Sequence, residues 1–223
     1  METFFVYQVS LRYIRRKFTI NVREKILTKA VELFLNFGFK SLTMDDIATE
    51  MGISKKTIYA HFTTKTKLVE SAALRIFDNI STGINCIKAK KLNVIEETFE
   101  IKDFAMKHLN NERSFPQYQL NKYYPKIAVI LKKKQFEVMQ GCVVDNLNRG
   151  IETEIYKKDI PVSFIARIYF IGITGIRDND LFPTEEFSNA ELMENYLEYH
   201  LLAIVTEQGL KILNQFINKS TLK

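Results

Sequence analysis

Apolar residues recur every three or four positions between residues 21 and 37, and this spacing predicts a helix with one buried face. Gly38 follows directly and is a residue type that ends helices. The chain contains only 8 glycines and 4 prolines in 223 residues, which favours long helices over short strands joined by tight turns. The N-terminal region is therefore expected to begin with an amphipathic helix.

Two shorter helices are predicted next. Thr43 can cap the first of them, which ends at Gly52. Ser54 can cap the second, over Lys55–Phe62, and a further helix begins near residue 64 or 65. Two helices joined by a short turn that contains glycine are typical of a helix-turn-helix.

The rest of the chain also shows helical spacing and no convincing strand, so the fold class is all-α. Apolar residues in each predicted segment repeat with the period of a helix rather than that of a strand. The predicted helices cover roughly 96–109, 124–156, 161–178 and 190–217.

The charge distribution separates the first third of the chain from the remainder. Residues 1–65 contain 11 Lys and Arg against 6 Asp and Glu, while the whole chain contains 32 against 26. Nearly all of the net charge of +6 therefore lies in this region. A localised basic excess favours a polyanionic partner.

The helix that starts at Lys55 combines features of a DNA-reading element. Lys55, Lys56 and Tyr59 share one face at three- and four-residue spacing, and Ile58 points the other way. Lysines at a helix N-terminus oppose the helix dipole, which suggests that an external anion compensates them. The major groove of DNA accepts an α-helix whose N-terminal side chains contact base edges and whose flanks contact phosphates.

Residues 23–72 resemble the DNA-binding domain of the TetR family of bacterial transcription regulators. The resemblance rests on Gly38, on "LTMDDIATEMGISKKTIYAHF" over 42–62, and on Lys65 and Leu68. It implies phosphate or base contacts at Thr43, Ser54, Lys55, Lys56, Thr57, Tyr59, His61 and Lys65. Whether the two lysines read guanines or only bind phosphates stays open at this point.

The same resemblance implies how the domains are arranged. A three-helix DNA-binding domain over 21–65 would be followed by a connecting helix over 66–88 and by a larger helical domain over 89–223. That domain would bind a small-molecule effector and form a homodimer through the last two helices. Residues 1–20 are either a flexible basic arm or the result of a wrongly placed translation start, and the second is favoured.

The resemblance further implies a repressor that a ligand releases from a palindromic operator. Large side chains of the middle helices are candidates for the effector site, although each residue type is also common in a core. The candidates are Phe104, His108, Tyr118, Tyr123, Phe136 and Met139. No cofactor or metal is expected, because the histidines are isolated and the two cysteines form no CxxC motif.

Three other classes of function are alternatives to this interpretation of the sequence. An architectural protein that binds DNA without strong sequence preference would share this fold. An enzyme is disfavoured because the chain shows no nucleophile–base pairing and no glycine-rich phosphate loop. Membrane binding would require an amphipathic helix, which "YQVSLRYIRRKF" matches only in part.

Two cysteines without a disulfide framework indicate reduced thiols and a cytoplasmic location.

Overall fold

The computed structural model describes residues 22–109, 116–178 and 180–220. The segment 1–20, predicted as an arm or a misplaced start, lies outside the described residues. The chain divides into two compact units, one ending at Ala73 and the other beginning at Leu74. This boundary falls within the helix that follows the helix-turn-helix.

The first unit contains the helices that the apolar spacing predicts. They are α1 (Val22–Phe37), α2 (Met44–Met51), α3 (Lys55–His61) and the beginning of α4 (Lys65–Lys88). Each helix contributes fully buried side chains to a shared core, namely Ile26, Phe34, Ile47, Ile58 and Leu68. The third helix ends at His61 rather than at Phe62, because Phe62 leaves the helical conformation and is buried.

The second unit is also helical over its described residues. It comprises the end of α4 followed by α5 (Val94–His108), α6 (Pro116–Tyr123), α7 (Pro125–Glu152), α8 (Val162–Gly175), α9 (Asn189–Ile204) and α10 (Glu207–Ser220). Its main core combines side chains from α5, α7, α8, α9 and α10 with the turn after α7; among the most buried are Ile95, Leu147, Tyr156, Ala166, Leu197 and Leu213. The all-α prediction is confirmed, and the extended pairing among the described residues is limited to one isolated bridge between Tyr156 and Val205.

The predicted single helix over 190–217 is wrong, because the chain breaks between α9 and α10. Val205 adopts an extended conformation, and the hydroxyl of Thr206 donates a 2.7 Å hydrogen bond to the carbonyl of Glu154. The same hydroxyl accepts the backbone N–H of Gly209, which caps the start of α10. The periodic apolar pattern continues through the break, so only the contact with the turn after α7 reveals it.

None of the described helices is both long enough and apolar enough to cross a lipid bilayer.

Candidate nucleic-acid interface

The start of α2 is held by a reciprocal capping box. The backbone N–H of Asp46 donates to Oγ1 of Thr43, while the carboxylate of Asp46 accepts from the backbone N–H and the hydroxyl of Thr43 at 2.8 Å each. These hydrogen bonds, the backbone one foremost, lower the pKa of Asp46 because they favour its charged form. The hydroxyl proton of Thr43 is thus engaged, and donation to a DNA phosphate would require it to leave Asp46.

The turn between α2 and α3 depends on Gly52, whose φ of 62° lies in the left-handed region. Ile53 then donates its N–H to the carbonyl of Ala48, which closes the end of α2. Ser54 starts α3 by accepting the N–H of Thr57, and the two hydroxyl oxygens of Ser54 and Thr57 lie 2.8 Å apart. Local chemistry therefore sets the direction of α3 relative to α2.

The two sides of α3 differ in exposure as the sequence predicts. Ile58 is 0% exposed and anchors the helix in the core of the first unit. Four of the predicted DNA contacts on α3 are exposed to solvent: Lys55, Lys56, Tyr59 and His61. The exposed surface that these four residues form, which we call the α3 face, presents two ammonium groups, a phenol and an imidazole within seven residues.

Lys55 does not extend freely into solvent from the α3 face. Its Nζ donates a 2.6 Å hydrogen bond to Oδ2 of Asp45 in the first turn of α2. This hydrogen bond is the main reason why the pKa of Lys55 is raised, since the carboxylate favours the charged ammonium. Lys56, its neighbour, is exposed and forms no ion pair with the described residues.

Lys65, at the start of α4, is directed back toward the end of α1. Its Nζ donates a 2.9 Å hydrogen bond to the backbone carbonyl of Lys40. Partial burial lowers the pKa of Lys65, with the charge of Asp46 acting in the opposite direction. A phosphate contact at Lys65 would therefore compete with the Lys40 carbonyl.

Sequence reasoning missed two partners at this surface, the carboxylate of Asp45 and the carbonyl of Lys40. The sequence places Asp45 in the first turn of α2, where a carboxylate is favourable near the helix N-terminus whether or not it has a partner. The contact of Asp45 with Lys55, ten residues later in the chain, is produced by the packing of α2 against α3. No pattern within either helix indicates it.

The six candidates for an effector site fall into separate contact groups in the second unit. Phe104 and His108 lie one turn apart on α5 with ring centroids 3.9 Å apart. On α6, the hydroxyl of Tyr118 accepts from Lys122, and Tyr123 is exposed beside the same lysine.

The remaining two candidates lie on α7 and face other helices. Phe136 packs edge-on against Phe170 of α8 with ring centroids 5.2 Å apart. Met139 packs against a small buried cluster formed by Met106, Ile173 and Met193. The structure therefore places Phe136 against α8 and Met139 against the cluster of Met106, Ile173 and Met193. Tyr118 and Tyr123, by contrast, contact Lys122 on their own helix, α6.

An aromatic cluster beside Met139 was not predicted from the sequence. His200 is buried against the rings of Tyr169 and Tyr196, at centroid distances of 4.8 and 6.0 Å. Burial lowers the pKa of His200 to about 4 and raises that of Tyr169 to about 12. The four-residue spacing of Tyr196 and His200 on α9 places both side chains on one face of that helix, and this spacing is the signal in the sequence that could have indicated the cluster.

Comparison with known proteins points to the same part of the chain. The family model described as bacterial regulatory proteins of the tetR family matches residues 26–72. The HTH-type transcriptional activator FasR of Mycolicibacterium smegmatis is 36% identical over 62 residues, which are 28% of this chain and 28% of that protein. The biofilm operon icaADBC HTH-type negative transcriptional regulator IcaR of Staphylococcus aureus is 33% identical over 63 residues, 28% of this chain and 34% of that protein.

These curated relatives are thus matched over about a third of their length or less. They include an activator and a negative regulator, so the matched region does not distinguish the two roles. A solved transcriptional regulator from Cytophaga hutchinsonii is similar over 82% of this chain and 98% of that one, with a TM-score of 0.67 and 18% identity. At that identity, the likeness shows a shared fold.

Proposed function

We propose that this chain, whose helix-turn-helix domain belongs to the TetR family of bacterial regulators, is a sequence-specific DNA-binding transcriptional regulator. The observation that carries the proposal is the α3 face. It is exposed and basic, and buried Ile58 and two capped helix ends hold it rigidly. A rigid helix with exposed basic side chains at its start fits the major groove, where lysine can donate to guanine.

The regulator is proposed to act as a homodimer on a palindromic operator. Support comes from one face of α8, on which Phe164, Ile168 and Ile171 are exposed at four- and three-residue spacing. On α9, Tyr199 and Leu202 are exposed as well. Burial of such apolar faces against a second copy would remove them from water, and a twofold dimer would place two α3 faces on successive half-sites.

The proposed mode of control is repression relieved by a small molecule that binds the second unit. The six candidates Phe104, His108, Tyr118, Tyr123, Phe136 and Met139 remain the proposed contacts, and the Tyr169–His200 cluster extends the set next to Met139. A ligand that prefers a conformation with a different spacing of the α3 faces would weaken DNA binding by that preference, about 1–3 kcal/mol.

The test is fluorescence anisotropy of the purified protein on duplexes from its own upstream region, with random DNA as competitor and at two salt concentrations. The variant Lys55→Ala/Lys56→Ala/Tyr59→Ala is expected to lose selective binding. Its control, Lys132→Ala/Lys133→Ala, removes the same number of charges from exposed positions of α7 and should bind like wild type.

Three outcomes separate the alternatives. Palindrome-selective binding that the triple variant loses supports the regulator. Equal and strongly salt-dependent binding to every duplex would instead indicate the architectural role. Equal loss of binding in the control and in the triple variant would contradict the assignment of the α3 face.

A further inference from the structure

The two carboxylates in the first turn of α2 have different partners. Asp46 accepts both the backbone N–H and the hydroxyl of Thr43, so its charge serves the helix cap. Asp45 accepts from Nζ of Lys55 at 2.6 Å, across the turn between α2 and α3. Because the capping box is complete without Asp45, its carboxylate is available to act on the DNA-binding surface.

The two lysines at the start of α3 are correspondingly unequal. Lys55 has a carboxylate against its ammonium group, whereas Lys56 is exposed and forms no ion pair with the described residues. A polyanion that approaches the α3 face can contact Lys56 at once. To contact Lys55 it must first displace Asp45, and the released carboxylate then repels the phosphates.

We propose that Asp45 is a specificity-determining residue, which holds the Lys55 ammonium away from the phosphates of non-target DNA. The inference rests on the proposed function. Binding to random DNA depends almost entirely on phosphate contacts, so holding one lysine per protomer out of such contacts weakens it directly. At a target site, hydrogen bonds from Lys55 to guanine O6 and N7 offset the loss of the ion pair between Lys55 and Asp45.

The variant Asp45→Asn removes the charge and nearly preserves the shape. Its affinity for a random-sequence duplex is expected to rise about fivefold to tenfold at low salt. The slope of log K against the logarithm of the salt concentration should steepen by about two for a dimer. Each protomer gains one phosphate contact, and each such contact adds about 0.9 to the magnitude of that slope. Affinity for a duplex selected by wild-type protein from a random pool should rise less, so the ratio of the two affinities falls.

Glu50→Gln is the matched control. Glu50 lies on the same helix, is exposed, and is paired only distantly with Lys29 at 4.0 Å, away from α3. This variant makes the same change in net charge, and its salt slope should stay within about 0.5 of wild type. Equal far-UV circular dichroism of the two variants and wild type verifies that the fold is retained.

A double-mutant cycle assigns the effect to one lysine. The effect of Asp45→Asn should vanish in a Lys55→Ala background and persist in a Lys56→Ala background. Persistence in both, or equal behaviour of Asp45→Asn and Glu50→Gln, overturns the role of Asp45 while the proposed function stands. If wild-type protein binds neither duplex, the proposed function fails and this inference fails with it.

Discussion

The side-chain amide of Asn146 donates a 2.9 Å hydrogen bond to Oε1 of Glu97, a carboxylate that is 1% exposed in the second unit. Arg149, one turn before the end of α7, forms an ion pair with the same oxygen. The hydroxyl of Tyr156 donates to Oδ1 of Asn146 and extends the network to the turn after α7. None of the described residues donates to Oε2 of Glu97, so the buried charge depends on this one set of partners.

Removal of the Arg149 side chain should therefore be costly. Arg149→Ala leaves the charge of Glu97 buried without a cation, and we expect a loss of about 3 kcal/mol in the free energy of unfolding, measured by urea titration. Lys90→Ala is the control, since it breaks an exposed pair with Glu100 at 2.6 Å and should cost less than about 1 kcal/mol. Equal losses in the two variants would show that the Glu97 network contributes little.

His200 should make stability depend on pH. Its folded pKa of about 4 lies below the usual 6.5, so the neutral form stabilises the protein fully above pH 6.5. That stability is lost as the pH falls toward 4, by about 2 kcal/mol between pH 7 and pH 5. His200→Phe keeps a ring against Tyr169 and Tyr196 and should remove this part of the pH dependence in urea titrations at the two pH values. An unchanged dependence would contradict burial of His200.

Two glycines should respond in opposite directions to alanine. A Cβ added at Gly141, within α7, meets no atom within 4 Å, so Gly141→Ala should stabilise the helix by about 0.5–1 kcal/mol. A Cβ at Gly209 would lie 2.2 Å from the backbone oxygen of Ile155, and Gly209→Ala should destabilise by about 1–3 kcal/mol. Thermal melting of both variants measures this, and the prediction fails if the two melting temperatures shift in the same direction.

The proposed dimer interface predicts how single charges affect assembly. Ile171 is 61% exposed on α8, and Ile171→Glu would place a carboxylate within the buried interface. We expect monomers in sedimentation velocity and a loss of operator affinity of at least tenfold, because two half-sites no longer act together. Val129→Glu, on a 69% exposed aliphatic residue of α7, is the control and should remain dimeric. A dimeric Ile171→Glu protein would exclude this face of α8.

Much of the first unit could be predicted because its signals act within a few residues. Thr43 and Ser54 cap helices through N–H groups three positions ahead, and Gly52 ends α2 through its own backbone conformation. Ile58 comes two positions after Lys56, so helical periodicity alone places its buried side chain across the helix from that exposed lysine. The assignment of α3 as the exposed element of a helix-turn-helix rests on these local rules.

The break after α9 could not be predicted in this way. The apolar spacing from Leu197 to Leu213 continues with helical period through Val205 and Thr206. The chain departs from the helix because Thr206 bonds to carbonyls at 154 and 155, some fifty residues earlier. Such a partner becomes available only when the turn after α7 is packed beside the end of α9.

By itself, then, the sequence determined the helices of the first unit, their caps, the turn between α2 and α3 and the exposed basic face. Those features depend on interactions within about four residues, which the order of residue types specifies directly. Only the tertiary structure decided that Lys55 is paired with Asp45, that Lys65 binds the Lys40 carbonyl and that His200 is buried between two tyrosines. These contacts join separate helices, and their partners are selected by packing because a helix repeats its own spacing without specifying what lies opposite it.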